Sequence, residues 1–274
     1  MPPIYLNHLL IFVDIETYRA IVHSDVLKQQ FAWSEDRTTH DEATGMSWTG
    51  CYFYGQHTYF EFMNPEATSW APRDGIAFGV EKENASLGIE NRLRSNIYPL
   101  VRRYSRSRKY KNLDMPWFWT VEIPRDDNHR LMTWVMEYRS EFLKQWAPDL
   151  APAIPGITRR QILTRYRSDT GEISSTSRLF QDITSVTLSL PQAEARLLNH
   201  ELLTYGYKAN ELEGQVVYTG PDISLCIESH EELPAGILAF TMKTSPVEET
   251  TTYQFSKSCR LTLYDHGEAE WSLR

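Results

Sequence analysis

The stretch Tyr5-Leu6-Asn7-His8-Leu9-Leu10-Ile11-Phe12-Val13, read together with Tyr52-Phe53-Tyr54-Gly55-Gln56-His57-Thr58-Tyr59-Phe60-Glu61-Phe62-Met63, decides the reading of this chain. The first run is apolar on both faces, as a strand covered on both sides requires, and it carries an imidazole near its start. The second reads as two aromatic strands around Gly55-Gln56, a pair that suits a tight hairpin with glycine at the first central position. Its return strand holds one carboxylate among aromatics. A nitrogen base and a carboxylate in apolar strands are costly to bury unless something binds them. Alternation puts Leu6, His8, Leu10 and Phe12 on one face, and Tyr59, Glu61 and Met63 on one face of the return strand. If both faces line one hollow, His8 and Glu61 converge there.

The surrounding sequence extends this unit. Asp14 can cap a helix whose apolar face is Tyr18, Ile21, Val22, Val26, Leu27 and Phe31. Trp33 to Gly45 is polar and turn-rich, so the unit reads strand, helix, strand, strand. A second unit follows, with strands at 75–80, 117–123 and 131–137 and a helix-prone stretch at 87–101. A helix-prone tail, Ser140 to Trp146, then runs into a proline-rich linker. A third unit has strands at 183–190, 215–219 and 223–228, with a helix that starts after Pro191 and stops near Gly206. A shorter fourth unit opens with Gly236-Ile237-Leu238-Ala239-Phe240, close in wording to Gly75-Ile76-Ala77-Phe78. The expected division is 1–146, a linker and connecting segment over 147–181, and 182–274.

The 274 residues carry a formal charge of -8, which argues against a nucleic-acid partner. The one basic run, Arg102 to Lys111, reads as a solvated loop. Cys51, Cys226 and Cys259 form no CxxC pair, so neither a disulfide framework nor a structural zinc site is legible. No basic leader and no apolar run of roughly 18 residues is present, so the expectation is a cytoplasmic protein with no membrane partner.

Units that open with a Leu-Asn-His-Leu-Leu-type strand and close with a Tyr-Phe-Glu-Phe-type strand resemble the glyoxalase/bleomycin-resistance/extradiol-dioxygenase superfamily, also called vicinal oxygen chelate. The run from Ser47 to Met63 looks like an uncharacterised glyoxalase-like branch of it. The resemblance implies an α+β fold in which repeated βαβββ modules form U-shaped mixed sheets around a cavity, in two paired-module halves. It also implies metal ligands: His8 from the first strand and Glu61 from the last strand of unit one, with Glu137 at the matching place in unit two. Gly75 occupies the second histidine position, so the set is one ligand short. Unit three has Ser185 and Glu228 at the two positions, too little for a metal of its own.

Three functions follow from this reading. In the first, His8 and Glu61 hold a divalent metal (Fe, Mn, Ni or Zn) in a lyase, isomerase or oxygenase. Glu137 then completes the site or acts as base, and His57 lies at its rim as a candidate catalytic residue. In the second, the eroded ligand set marks a metal-free binding or sequestration protein. In the third, Glu61 serves a metal-free enzyme as general acid or base. Tyr54, Tyr59 and Trp119 are the expected substrate contacts in an aromatic pocket for a planar or apolar small molecule. The partner is a small-molecule substrate or ligand, and a homodimer is compatible with each reading.

Overall fold

The computed structural model describes residues 2–41, 44–96, 100–111, 113–150, 156–170, 178–212, 214–229 and 235–274. Its strands form two eight-stranded sheets of the same design. In the first, β1 (Tyr5–Phe12), α1 (Ile15–Val22), β2 (Trp33–Asp41), β3 (Met46–Tyr54) and β4 (Tyr59–Thr68) make one module. The second module is β5 (Asp74–Val80), α2 (Ala85–Asn96), β6 (Arg102–Tyr110), β7 (Leu113–Glu122) and β8 (Leu131–Tyr138). The strand order β2-β3-β4-β1-β5-β8-β7-β6 places the opening strands of both modules side by side at the centre. There β1 and β5 run antiparallel, while each runs parallel to the closing strand of its own module.

After α3 (Ser140–Trp146) and α4 (Arg159–Asp169), the second sheet repeats the pattern. Its strands are β9 (Phe180–Leu190), β10 (Lys208–Leu212), β11 (Gln215–Thr219) and β12 (Ser224–Ser229), then β13 (Gly236–Thr244), β14 (Thr251–Gln254), β15 (Arg260–Leu263) and β16 (Glu268–Ser272), with α5 (Gln192–Tyr205) after β9. Their order, β10-β11-β12-β9-β13-β16-β15-β14, matches the first sheet position for position. The fourth module passes from β13 to β14 without a helix. The repeated βαβββ architecture expected from the sequence is therefore present.

The sheets stack through the faces that also carry helices. One continuous core joins Leu9, Ile11, Phe60, Phe62 and Phe78 of the first half to Val186, Leu188, Phe240 and Trp271 of the second. Phe62 and Trp271 meet with ring centroids 4.9 Å apart, and Phe60 and Phe240 at 5.1 Å. Burial of this many aromatics on one seam makes the halves one body.

Polar ties reinforce the seam where backbone groups would otherwise be stranded. Strand β4 begins opposite His8, so Leu6 lies beyond it. Asp222 instead accepts from the Leu6 N–H at 3.1 Å, and Arg159 donates to the Leu6 carbonyl at 2.5 Å. Arg159 also reaches Asp222 at 2.6 Å. Asp74, 1% exposed, accepts from Phe12 N–H at 2.9 Å, Ile237 N–H at 2.8 Å and Arg274 at 2.6 Å.

Four sequence expectations change here. The polar stretch after Trp33 is a strand, β2, and the basic run is a strand, β6; both are edges of the first sheet. Residues 159–169, inside the expected connecting segment, form α4, while 151–155 and 171–177 of that segment lie outside the described residues. Gly55 does not adopt positive φ as the expected turn requires. Its role is close approach: a Cβ there would sit 2.2 Å from the Gln181 carbonyl oxygen.

Candidate functional site

The first sheet curls until its two edges meet, where Arg106 of β6 pairs with the buried Asp41 of β2. The resulting cup encloses a cavity of about 250 Å³. Helices α3 and α4 pack beside it, Phe142 against Trp117 of the wall at 6.3 Å. Trp146 and Tyr166 pack at 4.8 Å, and Tyr166 stacks on Tyr54 at 5.4 Å. The wall is aromatic and polar together: Trp48, Trp70, Trp117 and Trp134 beside His8 and Glu61.

The imidazole and the carboxylate do share the hollow. His8 Nε2 lies 3.4 Å from Glu61 Oε1, with each side chain 5% exposed. Parallel pairing of β1 and β4 produces this, because Glu61 sits opposite Leu10, two residues along from His8 and on the same face. The first-strand face is not the expected one throughout. The register jumps between Leu6 and His8, leaving Asn7 as the extra residue of a bulge. Leu6 therefore turns into the core with Leu9 and Ile11, while His8, Leu10 and Phe12 face the cup. The same bulge brings the Asn7 side chain to His8, with Oδ1 2.9 Å from Nδ1. That contact fixes the ring and leaves Nε2 toward Glu61. Tyr59 stacks on the imidazole at 4.3 Å and 15°, and Trp134 meets it edge-on at 5.4 Å.

Glu61 is 4% exposed, and its Oε2 is buried without a hydrogen-bond partner among the described residues. Tyr52 lies directly opposite across β3 and β4, and its phenol interacts with the Glu61 carboxylate. Burial, and after it the charge of Glu61, holds that phenol well above its usual range, so it stays protonated. Its oxygen accepts from Trp48 Nε1 at 3.0 Å, and Arg37 lies over its ring at 4.1 Å.

The other expected site residues divide. Tyr59 lines the cavity. Tyr54 is buried beside it but spent on Glu35 and on Tyr166, and does not line it. Trp119 faces away, sandwiched by Arg103 at 3.9 Å and Arg139 at 4.8 Å. His57 lies at the seam between the halves, not at the rim: its Nδ1 is 3.0 Å from Asp182, which also accepts from the His57 N–H at 2.7 Å. Glu137 points to the opposite side of the sheet, where it accepts from Asn84 N–H at 2.8 Å and Ser86 N–H at 2.7 Å at the start of α2. It is a helix cap, because β8 puts Met136 and not Glu137 on the cup face.

These placements decide how well a metal fits. Catalytic sites of the histidine–carboxylate kind use about three protein donors and leave a position open. The cup offers two. At position 75 the space for a third is filled, since a Cβ on Gly75 would lie 2.8 Å from the Trp134 ring. Among the described residues no group of three or more His, Cys, Asp or Glu side chains could hold a metal ion. The donor set does not fit the expected divalent ion.

Several cup residues escaped the sequence reading. Arg37 and Arg106 project from the polar edge strands, and Arg73 and Arg125 from the loops. Arg125 is held by Glu201 of α5 at 2.8 Å, and the same carboxylate accepts from Thr133 at 2.6 Å. The second half thus supports the wall of the first half's cup. The available signal was the alternation inside Glu35-Asp36-Arg37-Thr38-Thr39-His40-Asp41, where every other residue is exposed, but no apolar residue carries it.

Comparison with known proteins bears on the fold. One family profile, described as a family of unknown function, matches residues 6–273. No curated protein matches the chain. A hypothetical protein from Staphylococcus aureus superposes with a TM-score of 0.53 at 10% identity, covering 92% of this chain and 95% of that one. A xylose isomerase-like TIM barrel/4-hydroxyphenylpyruvate dioxygenase fusion protein gives 0.40 at 10% identity over 83% of this chain and 32% of that one. A variant of homoprotocatechuate 2,3-dioxygenase from B. fuscum gives 0.36 at 12% identity over 84% and 53%. The repeated βαβββ architecture is glyoxalase-like, and the likeness to these structures extends to the fold alone.

Proposed function

The chain belongs to the DUF5829 family, for which no function is described, and from that premise we propose that its first cup is a metal-independent site that binds a small planar molecule and exchanges a proton with it. One observation carries the reading. Glu61 and His8 lie 3.4 Å apart, almost fully buried, with Glu61 Oε2 unpartnered inside an aromatic wall. A proton can sit on either member of such a pair. An approaching ligand therefore meets either a carboxylate that can take a proton or an acid that can give one. Asn7 and Tyr59 hold the imidazole in place.

The test needs no prior substrate. A panel of neutral, cationic and anionic single-ring compounds is titrated in the presence of EDTA, with tryptophan emission as the readout. Calorimetry in buffers of different ionisation enthalpy then counts protons taken up or released. The reading expects a binder that survives chelation and a proton count that disappears in Glu61→Gln. Binding that requires a metal ion, or a proton count unchanged in Glu61→Gln, overturns it.

A further inference from the structure

We infer that the ligand of the cup is a small planar organic anion, held at the mouth by Arg73 and Arg102; this rests on the reading of the cup as a ligand site. The protein as a whole is acidic, with a formal charge of -8. The cavity wall departs from that background, with five arginines (37, 73, 102, 106 and 125) against the carboxylates Glu61 and Glu122.

Three of the five are neutralised from outside the wall. Arg37 pairs with Glu35 at 2.5 Å, Arg125 with Glu201 at 2.8 Å, and Arg106 with Asp41. Arg73 and Arg102 are left. Arg73 donates to the neutral Asp126 carbonyl at 2.8 Å, and its nearest carboxylate is Asp127, 3.8 Å away and 90% exposed. A pair that long and that wet offsets little charge. The Arg102 side chain makes no hydrogen bond or ion pair among the described residues; it stands exposed at the start of β6, across the ladder from Glu122, whose carboxylate accepts from the Tyr104 hydroxyl at 3.0 Å.

Hydrogen-bond bookkeeping points the same way. Buried cup-wall nitrogens without partners include Arg37 Nε, Arg73 Nε, Trp70 Nε1 and Trp117 Nε1. All four can only donate. A ligand complementary to them is rich in acceptors and negative. Glu61 asks for one donor at the opposite pole. Size bounds the rest: a benzene ring fits a cavity of about 150 Å³. The 250 Å³ here takes one ring with a short substituent, flanked by indoles. The basic run of β6, which sends Arg102 and Arg106 to the cup wall, thereby gains a function.

Three isosteric probes separate charge from shape: benzoate, benzamide and benzamidine, titrated into the full chain at low and high salt with tryptophan emission and calorimetry. The expected order is benzoate first, by roughly tenfold or more over benzamide, the value of one charge-assisted hydrogen bond, with benzamidine last. Added salt and Arg73→Met each erase the preference. Arg102→Met, an exposed side chain at the start of β6, weakens benzoate alone. Benzamide equal to benzoate, benzamidine tighter, or a benzoate preference that survives both substitutions overturns the inference while leaving the cup a ligand site. Failure of every probe, together with failure of the broader panel, removes the ligand site itself.

Discussion

Arg159→Met tests how the seam between the halves supports the cup. Arg159 is a nearly buried cation, 9% exposed, that lies 2.6 Å from Asp222, donates to the Leu6 carbonyl at 2.5 Å and stacks over Tyr5 at 4.2 Å. Methionine keeps the stem but strands Asp222 beside Leu6. Removing one partner of a fully buried pair destabilises by about 3–5 kcal/mol. Asp222 is 19% exposed and retains the Leu6 N–H, so the discounted expectation is about 2–3 kcal/mol. In a domain of this size that lowers Tm by roughly 5–10 °C. Burial already pushes the Asp222 carboxyl above the usual range, against the pull of Arg159. With Arg159 gone the carboxyl rises further, so the deficit is greatest near neutral pH and shrinks as Asp222 protonates in acid. Urea and thermal unfolding of the single variants and of Arg159→Met with Asp222→Asn give the coupling. A loss under about 0.5 kcal/mol, or strict additivity of the two substitutions, refutes the reasoning.

Other consequences can be checked with the same tools. Burial raises the Asp74 carboxyl above the ordinary aspartate value of about 3.9. The folded state therefore holds that proton more tightly: the associated stability is complete below the ordinary value and fades as pH rises through the elevated one. Asp74→Asn should remove that decline from a plot of Tm against pH, and an unchanged slope would count against the assignment. Gly55→Ala drives a Cβ to 2.2 Å from the Gln181 carbonyl, so unfolding should show a loss of about 1–3 kcal/mol; a neutral result would mean the seam yields there. Glu137→Ala should weaken the fold by about 1–2 kcal/mol as a lost helix cap while leaving probe affinity in the cup unchanged. A selective loss of binding would restore Glu137 to the site.

Much of the fold was legible because its central strands are apolar and its modules repeat. Strands β1, β4, β5, β8 and β9 announce themselves in the sequence. The edges did not, because β2 and β6 alternate between solvent and a polar cup wall, so their period of two is written in arginine, threonine and aspartate. Helix α4 was hidden in the proline-rich connection, its apolar side limited to Ile162, Leu163 and Tyr166. Of the site, the His8/Glu61 pair was readable from parity even though the bulge at Asn7 reversed Leu6. Glu137 was not, since a carboxylate one residue beyond a cup-facing methionine reads the same whether it binds a ligand or caps a helix. Trp119 failed similarly: the bulge that skips Trp117 opposite Arg106 and Ser107 turns Trp117 into the cup and leaves Trp119 outside. Bulges and long-range caps are set by pairing partners distant in sequence, and one strand's composition does not encode them.

Anomalous diffraction from crystals grown with manganese and with zinc, each at an excess over protein, looks straight at the space between the first strand and the aromatic hairpin. A metal-free cup gives no peak between His8 Nε2 and Glu61, only those two side chains facing one another. A fully occupied ion bridging them, with water or a further side chain completing its shell, would contradict it.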